Sequence, residues 1–302
     1  MTMRVATFAV TDQMIAGALR TQATMANMQV QEASGLKSEY LADYGVDSQH
    51  IINLQVSVTR AQSYMESATL AESKTNVMYD AIGQVSDIVT KLRTALSAAS
   101  TGSSTETASA ITSAQQLLQQ MGGILNTQYD GGYVFSGAKS STAPADLTSF
   151  ATGAGSLSTT DTSYYQGDDE LASVRVSGSQ TVTYGVTADN PAIEEVMRVL
   201  KFVANSSSLS ATDITNSLKI VDSAVDDVAT VQAKVSSATA QIDTAKTTQS
   251  EFMSFAQGLD NDLSSVDVGA ITAQLSAFQA QLTASYTAIS KVQSLNLASY
   301  LR

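Results

Sequence analysis

The 302-residue chain has no cysteine and no tryptophan, a single histidine and only two prolines. Without cysteine there can be no disulfides, thiolate metal sites or thiol catalysis, and packing alone must hold the fold. The lone His50 has no other histidine to complete a cluster of metal ligands, so it reads as a surface or capping residue of a helix. Nor can a Ser-His triad be assembled around it, because the serines are scattered through low-complexity stretches.

Charge is also scarce, at 15% of residues, and acidic side chains outnumber basic ones 28 to 16 for a net charge of -12. With no Lys/Arg cluster the electrostatic footprint of a nucleic-acid binder is missing, so no nucleic acid partner is expected. No apolar run reaches the roughly 18 residues of a membrane-spanning helix, so no membrane insertion is expected either. Met1 to Val10 lacks the continuous apolar stretch of a secretory signal, and export would need another route.

What is present is 43% hydrophobic residues set among Ala, Ser, Thr and Gln, a composition suited to long helices packed on copies of themselves. Apolar residues recur at steps of three and four through Leu54, Val58, Ala61, Met65 and Ala68. After a three-residue slip in phase they continue through Met78, Ile82, Val85, Val89, Leu92, Leu96 and Ala99. The spacing predicts one helix from about Val46 to Ser100, with the slip as a local change of coiling. A second long helix is predicted through Ile214, Leu218, Val221, Val225, Val228, Val231, Val235, Ala238, Ile242 and Ala245, with Ser210 and Asp213 as its capping box.

The last seam, Ile271, Leu275, Phe278, Leu282, Ser285, Ile289 and Val292, keeps a strict four-three alternation, and Ser264 or Ser265 is expected to cap it. Near the start Met14, Ala18, Thr21, Met25 and Met28 repeat the spacing, widened by Ile15 and Leu19. These small, flexible side chains make a weaker seam that needs a partner helix.

Between the arms, Val174 and Val176, a turn at Ser177 to Gln180, and Val182, Tyr184 and Val186 predict a hairpin, and Asn190 before Pro191 predicts a helix start. Ser140 to Ser163 reads as loop. The expected fold is mainly α, a long coiled-coil helical bundle formed by N- and C-terminal arms with a small inserted β domain. The expected divisions are a terminal coiled coil of 1–35 with 264–302, a long-helix bundle of 36–138 with 189–263, and an insertion at 139–188. The insertion is expected to face solvent or neighbours more than the helical core.

Other candidate sites carry little chemistry. Asp168, Asp169 and Glu170 miss the alternating spacing of a calcium loop, and Asp260, Asn261 and Asp262 read as a turn ahead of the last helix. Gly122-Gly123 and Gly131-Gly132 lack the Lys and Ser/Thr of a phosphate loop, and the second pair is expected to turn the chain into a strand at Tyr133 to Phe135. No catalytic residue, metal or cofactor is assigned. The rival class is a ligand-binding module or enzyme with a pocket lined by Tyr164, Tyr165 and Tyr184.

Two stretches point to a family. Leu282 to Leu301, reading LTASYTAISKVQSLNLASYL, and Ser34-Gly35-Leu36 at the end of the first helix resemble the flagellin superfamily, whose members pair N- and C-terminal helices around variable centres. Within it, Asn126 to Gly137, reading NTQYDGGYVFSG, with Tyr165-Gln166-Gly167-Asp168, resembles the hook-associated protein 3 branch more than filament flagellin, which is the alternative.

The resemblance implies a structural subunit at the hook-filament junction outside the cell, and not an enzyme. It implies export through the flagellar type III apparatus with a chaperone, and assembly as a homo-oligomer ring between flagellin and the other hook-associated junction protein. The residues expected to form the assembly interface are Met14, Ile15, Leu19, Met25, Ile271, Leu275, Phe278, Leu282, Ile289 and Val292. The same spacing also suits an ordinary intramolecular core, and both readings stand at this point.

Overall fold

The computed structural model describes residues 2–150 and 152–294. The elements are α1 (Thr2–Ser34), a 3₁₀ turn (Leu41–Tyr44), α2 (Asp47–Ala99), α3 (Ser104–Leu125), β1 (Gln128–Tyr129), β2 (Gly132–Tyr133) and α4 (Leu147–Phe150). There follow β3 (Ser173–Arg175), β4 (Thr181–Thr183), α5 (Pro191–Asn205), α6 (Ala211–Ser264) and α7 (Val268–Ser294). The chain divides into two compact units, one from Met1–Thr59 and Ser254–Arg302, the other Arg60–Met253.

In the larger unit the core follows the seams. From Met78 to Ala99 every predicted position of α2 is buried, and Ala71 and Thr75 carry the stripe across the phase slip. Thr75 keeps its hydroxyl satisfied by donating to the Ala71 carbonyl at 2.6 Å, so a polar residue costs little there. In α6 the deepest positions include Ser217 and Ala224, while the expected Leu218 and Val225 are half-buried beside them. Small residues thus lie at the centre of this stripe and the larger pair on its flank.

The start of α6 carries the expected capping box. Ser210 donates its N–H to Asp213 Oδ2 at 3.0 Å, and Asp213 donates its N–H back to Ser210 Oγ at 3.1 Å. These side-chain and backbone hydrogen bonds hold the Asp213 carboxyl below the usual carboxylate range. Asn190 caps α5 in the predicted way, its Oδ1 accepting from the Ala192 N–H at 3.1 Å with Pro191 in the first helical turn.

Helix α3 buries Ala110, Ala114, Leu117, Leu118, Met121 and Leu125, and packs on α5. Gly122 lets α4 approach, since a Cβ there would lie 2.6 Å from Leu147 Cδ1. The turn at Asp130 and Gly131 differs in place from the expectation. Asn126 already ends α3, and Asp130 (φ 50°) with Gly131 (φ 75°) closes the β1–β2 hairpin. Two successive positive φ values are what a tight two-residue hairpin needs, and Asn, Asp and Gly reach them at least cost.

The insertion is not set apart from the helices. Phe150, Tyr164, Val186 and Ala188 belong to the same core as α2, α3, α5 and α6, while Val174, Val176 and Val182 of the β3–β4 hairpin pack on Ala68, Ala71, Ala238, Ile242 and Ala245. The insertion therefore has both faces: most of its described residues are exposed or half-buried, while inward valines that alternate with exposed residues pack on the helices.

A buried polar cluster fixes the preceding loop to α5. Glu194 Oε1 accepts the Asp161 N–H at 2.8 Å and lies 3.3 Å from Arg198 Nε, while Lys201 Nζ reaches Asp161 Oδ2 at 2.6 Å and sits 4.3 Å from the centre of the Phe150 ring. Burial alone would raise the Asp161 carboxyl, but hydrogen bonds from Lys201 and Ser163 outweigh it and its pKa ends below the ordinary value.

Candidate assembly interface

In the terminal unit α1 and α7 form an antiparallel pair joined at its base by backbone hydrogen bonds. Lys37 donates its N–H to the Ser264 carbonyl at 2.8 Å, Val266 donates to Gly35 at 2.9 Å, and Leu36 and Ser265 form an antiparallel bridge. Gly35 has φ 71°, the left-handed conformation in which a helix ends and for which glycine carries no Cβ penalty. Around this junction Gln31 Nε2 donates to the Lys37 carbonyl at 2.7 Å, and Lys37 Nζ donates to the Leu263 carbonyl at 2.7 Å. Ser34-Gly35-Leu36 therefore ends one helix and begins a clasp on the far end of the chain.

Thr272 Oγ1 donates to Glu32 Oε1 at 2.8 Å, setting the register above the clasp. Carried one residue for one along the pair, it brings Ala18 level with about Tyr286 and Met14 level with about Ser290. Ala18, Ile271, Leu275 and Ile289 are buried, and Met14, Met25, Phe278, Leu282 and Val292 are half-buried. Ile15 and Leu19 do not join them: they are 38% and 59% exposed. The seam is narrow because two helices alone can cover only one stripe of each other.

Six apolar residues are buried among the described side chains of this unit: Ala18, Ile51, Ala256, Ile271, Leu275 and Ile289. Of the seventeen exposed large apolar side chains among the described residues, thirteen lie in it too, including Val46 at 86%, Tyr40 at 72% and Phe255 at 68%. Large exposed apolar patches are, in general, a mark of interaction surfaces. Leu295 to Leu301, the rest of the C-terminal stretch that carries the resemblance, lie outside the described residues.

The cap of α7 differs from the expectation. Asp267 Oδ1 accepts the Ala270 N–H at 3.0 Å, and α6 runs on through Ser264. Asp260, Asn261 and Asp262 are thus helical and not a turn, since nothing before Ser265 interrupts the backbone ladder.

The rival tyrosine pocket does not form. Tyr164 is fully buried, with its hydroxyl donating to the Ala188 carbonyl at 2.8 Å, and burial first, then the Glu194 charge, pushes its pKa well up. Tyr165 donates to the Asp168 carbonyl at 2.5 Å, and its pKa is likewise raised by burial. Tyr184 lines a separate shallow groove with Ser63, Tyr64 and Arg175. Among the described residues no three His, Asp or Glu side chains converge as metal ligands, and no helix is long and apolar enough to cross a membrane. His50 is exposed on α2.

The two central motifs interlock. Asp168 Oδ1 accepts the Ala138 N–H at 2.8 Å and the Glu170 N–H at 3.2 Å, and Asp168 donates its own N–H to the Ser136 carbonyl at 3.3 Å. Gly137 has φ 67°, and a Cβ there would overlap Asp168. Asp168 is therefore a backbone latch between segments distant in sequence, a role its place in an acidic run does not reveal.

No protein-family model and no curated protein matches the chain in sequence. Among solved structures it is similar to a protein of Vibrio parahaemolyticus assigned as a flagellar hook-associated protein. That match has 17% identity over 74% of this chain and 100% of the other, with a TM-score of 0.61. The chain has the fold of a flagellar hook-associated protein. Flagellar hook-associated protein 3 of Legionella pneumophila aligns with 14% identity over 71% of this chain and 97% of its own, with a TM-score of 0.45. The corresponding values for FlgL of Bacillus cereus are 13%, 82%, 99% and 0.36.

Proposed function

We propose that the protein is a structural subunit of the bacterial flagellum, working outside the cell as an adaptor at the hook-filament junction. Copies join as a ring through the terminal arms, 1–35 and 264–302, with filament flagellin on one side and another hook-associated junction protein on the other. The flagellar export apparatus and a chaperone deliver it. One observation carries the reading: the terminal unit, whose α1–α7 seam is narrow, holds most of the large exposed apolar side chains among the described residues. Copies of the same chain are the natural cover for such a face. The likeness of fold to a flagellar hook-associated protein supports the setting.

An adaptor and a filament subunit differ in what their loss does. In a strain lacking this protein, hooks should still be built while filaments fail to attach and flagellin is released into the medium. A strain whose hooks carry normal filaments would contradict the adaptor reading, and loss of the filament polymer itself, with no flagellin released, would favour a filament subunit.

A further inference from the structure

Within the larger unit α2 and α6 run side by side in opposite directions. Glu72 pairs with Lys246, a Cβ on Gly83 would lie 3.5 Å from Gln232 Nε2, and Arg93 Nε meets Asp222 Oδ1 at 2.7 Å. The register is the same at the last two contacts and shifts by three residues at the first, which sets Ala68 and Ala71 level with about Thr247 to Ser250.

Both seams lose phase at that level. In α2 the stripe of buried and half-buried side chains steps three and three again, through Met65, Ala68 and Ala71, before regular alternation resumes at Thr75 and Met78. In α6 it steps four and four, through the buried Ala245 and the half-buried Gln249 and Met253, whereas Phe252, where the regular stripe would fall, is 39% exposed. One residue too few or too many turns a stripe by about 100° around its helix. Such a step changes the local coiling of the pair, and a third element can cover the level where it does.

The β3–β4 hairpin lies on this level. Val174, Val176 and Val182 complete a layer otherwise made of Ala68, Ala71, Ala238, Ile242 and Ala245, and Gln249 Nε2 donates to the Val176 carbonyl at 3.2 Å. The hairpin has only three residues in each strand, and a two-stranded ribbon of that length has no stability of its own. Its attachment rests on three valines and few polar contacts, so it opens at lower cost than the core formed by Leu92, Leu96 and α5.

We propose that the matched phase break is a flex point of the α2–α6 pair and that the β3–β4 hairpin is a releasable splint across it. Docked, the hairpin holds the pair in one geometry; undocked, it leaves an alanine-lined level free to change its coiling. The device belongs to the bundle and does not depend on the assembly partners.

The test is amide hydrogen exchange read by mass spectrometry on the full chain carrying Val182→Asp, which places a charge where the hairpin docks. Exchange in 61–75 and 238–253 should accelerate at least ten-fold, while 82–96 and 217–231 keep their protection. Unchanged rates at the break, or equal acceleration in all four segments, would overturn the proposal. Gln249→Ala, which removes one hydrogen bond from an otherwise intact hairpin, should give a smaller acceleration confined to the same two segments. Should circular dichroism show Val182→Asp to be unfolded, the Gln249→Ala result decides, and no acceleration at the break would overturn the splint.

Discussion

Lys37 and Ser264 are joined by a 2.8 Å hydrogen bond between main-chain groups, and this contact ties the end of the first helix to the start of the last connection. The clasp is local, and the seam above it is thin. In the isolated subunit α1 and α7 should therefore exchange amide protons orders of magnitude faster than α2 from Met78 to Ala99, and both ends should gain protection on assembly. Equal protection of the ends and the central helices in monomer would contradict this.

The same contrast governs core truncations. Leu92 is 0% exposed in a seam with many layers, so Leu92→Ala should cost about 2–5 kcal/mol, read as a lowered denaturant midpoint. Leu275→Ala removes a side chain from a unit with few buried neighbours and should leave the main unfolding transition within about 0.5 kcal/mol of the unaltered chain.

Gly137 is required at the latch between the two central motifs. Gly137→Ala adds a Cβ against Asp168 at a residue with φ 67° and should destabilise the larger unit by about 2–4 kcal/mol. Gly131→Ala, also at positive φ but with open space around it, should cost only about 1 kcal/mol. Equal costs in thermal unfolding would show that the latch contributes nothing.

The elements of the fold differ in how far local sequence reveals them. The long helices, the phase slip after Ala68, the Ser210–Asp213 box and the Asn190–Pro191 start follow from periodicity and capping, both local properties. Helix α3 left a signal in Ala114, Leu117, Leu118, Met121 and Leu125, but the double glycine near its end disguises it. The Asp168 latch and the Lys37 clasp left none, because each ties together groups far apart in sequence. In the terminal seam, spacing singled out the buried Ile271, Leu275 and Ile289, yet it could not tell that Ile15 and Leu19 point away from the pair. Which side of a stripe is covered depends on the number of partner helices, and one chain's spacing does not contain that number.

Glu195 supplies a pH signature. Its Oε2 is buried without a hydrogen-bond partner, and burial first, then the Asp227 charge, raises its pKa above the ordinary 4.5 despite the pull of Arg198. The folded chain thus keeps this proton to higher pH than the unfolded chain does, so stability falls as pH rises from 4.5 through the raised value. Glu195→Gln should remove that fall, raising the melting temperature at pH 7 by about 1–3 °C and leaving it unchanged below about pH 4. An equal shift at both pH values would mean that the charge is not the cause.

Surface and seam changes in the terminal unit should separate assembly from folding. Leu19, 59% exposed, can become Asp with no change in monomer unfolding, because the charge stays in water until a neighbour covers it. Burying an unpaired carboxylate against that neighbour costs several kcal/mol, enough to defeat an interface of many weak contacts. Leu19→Asp and Leu282→Asp should both be secreted and leave cells non-motile. Normal swimming with both variants would remove these faces from the interface.

The most direct test of the junction reading is electron microscopy of intact flagella labelled with gold-conjugated antibody to this protein. The account predicts one cluster of gold per flagellum, where the curved hook meets the filament. Gold distributed along the filament, or flagella with none, would contradict it.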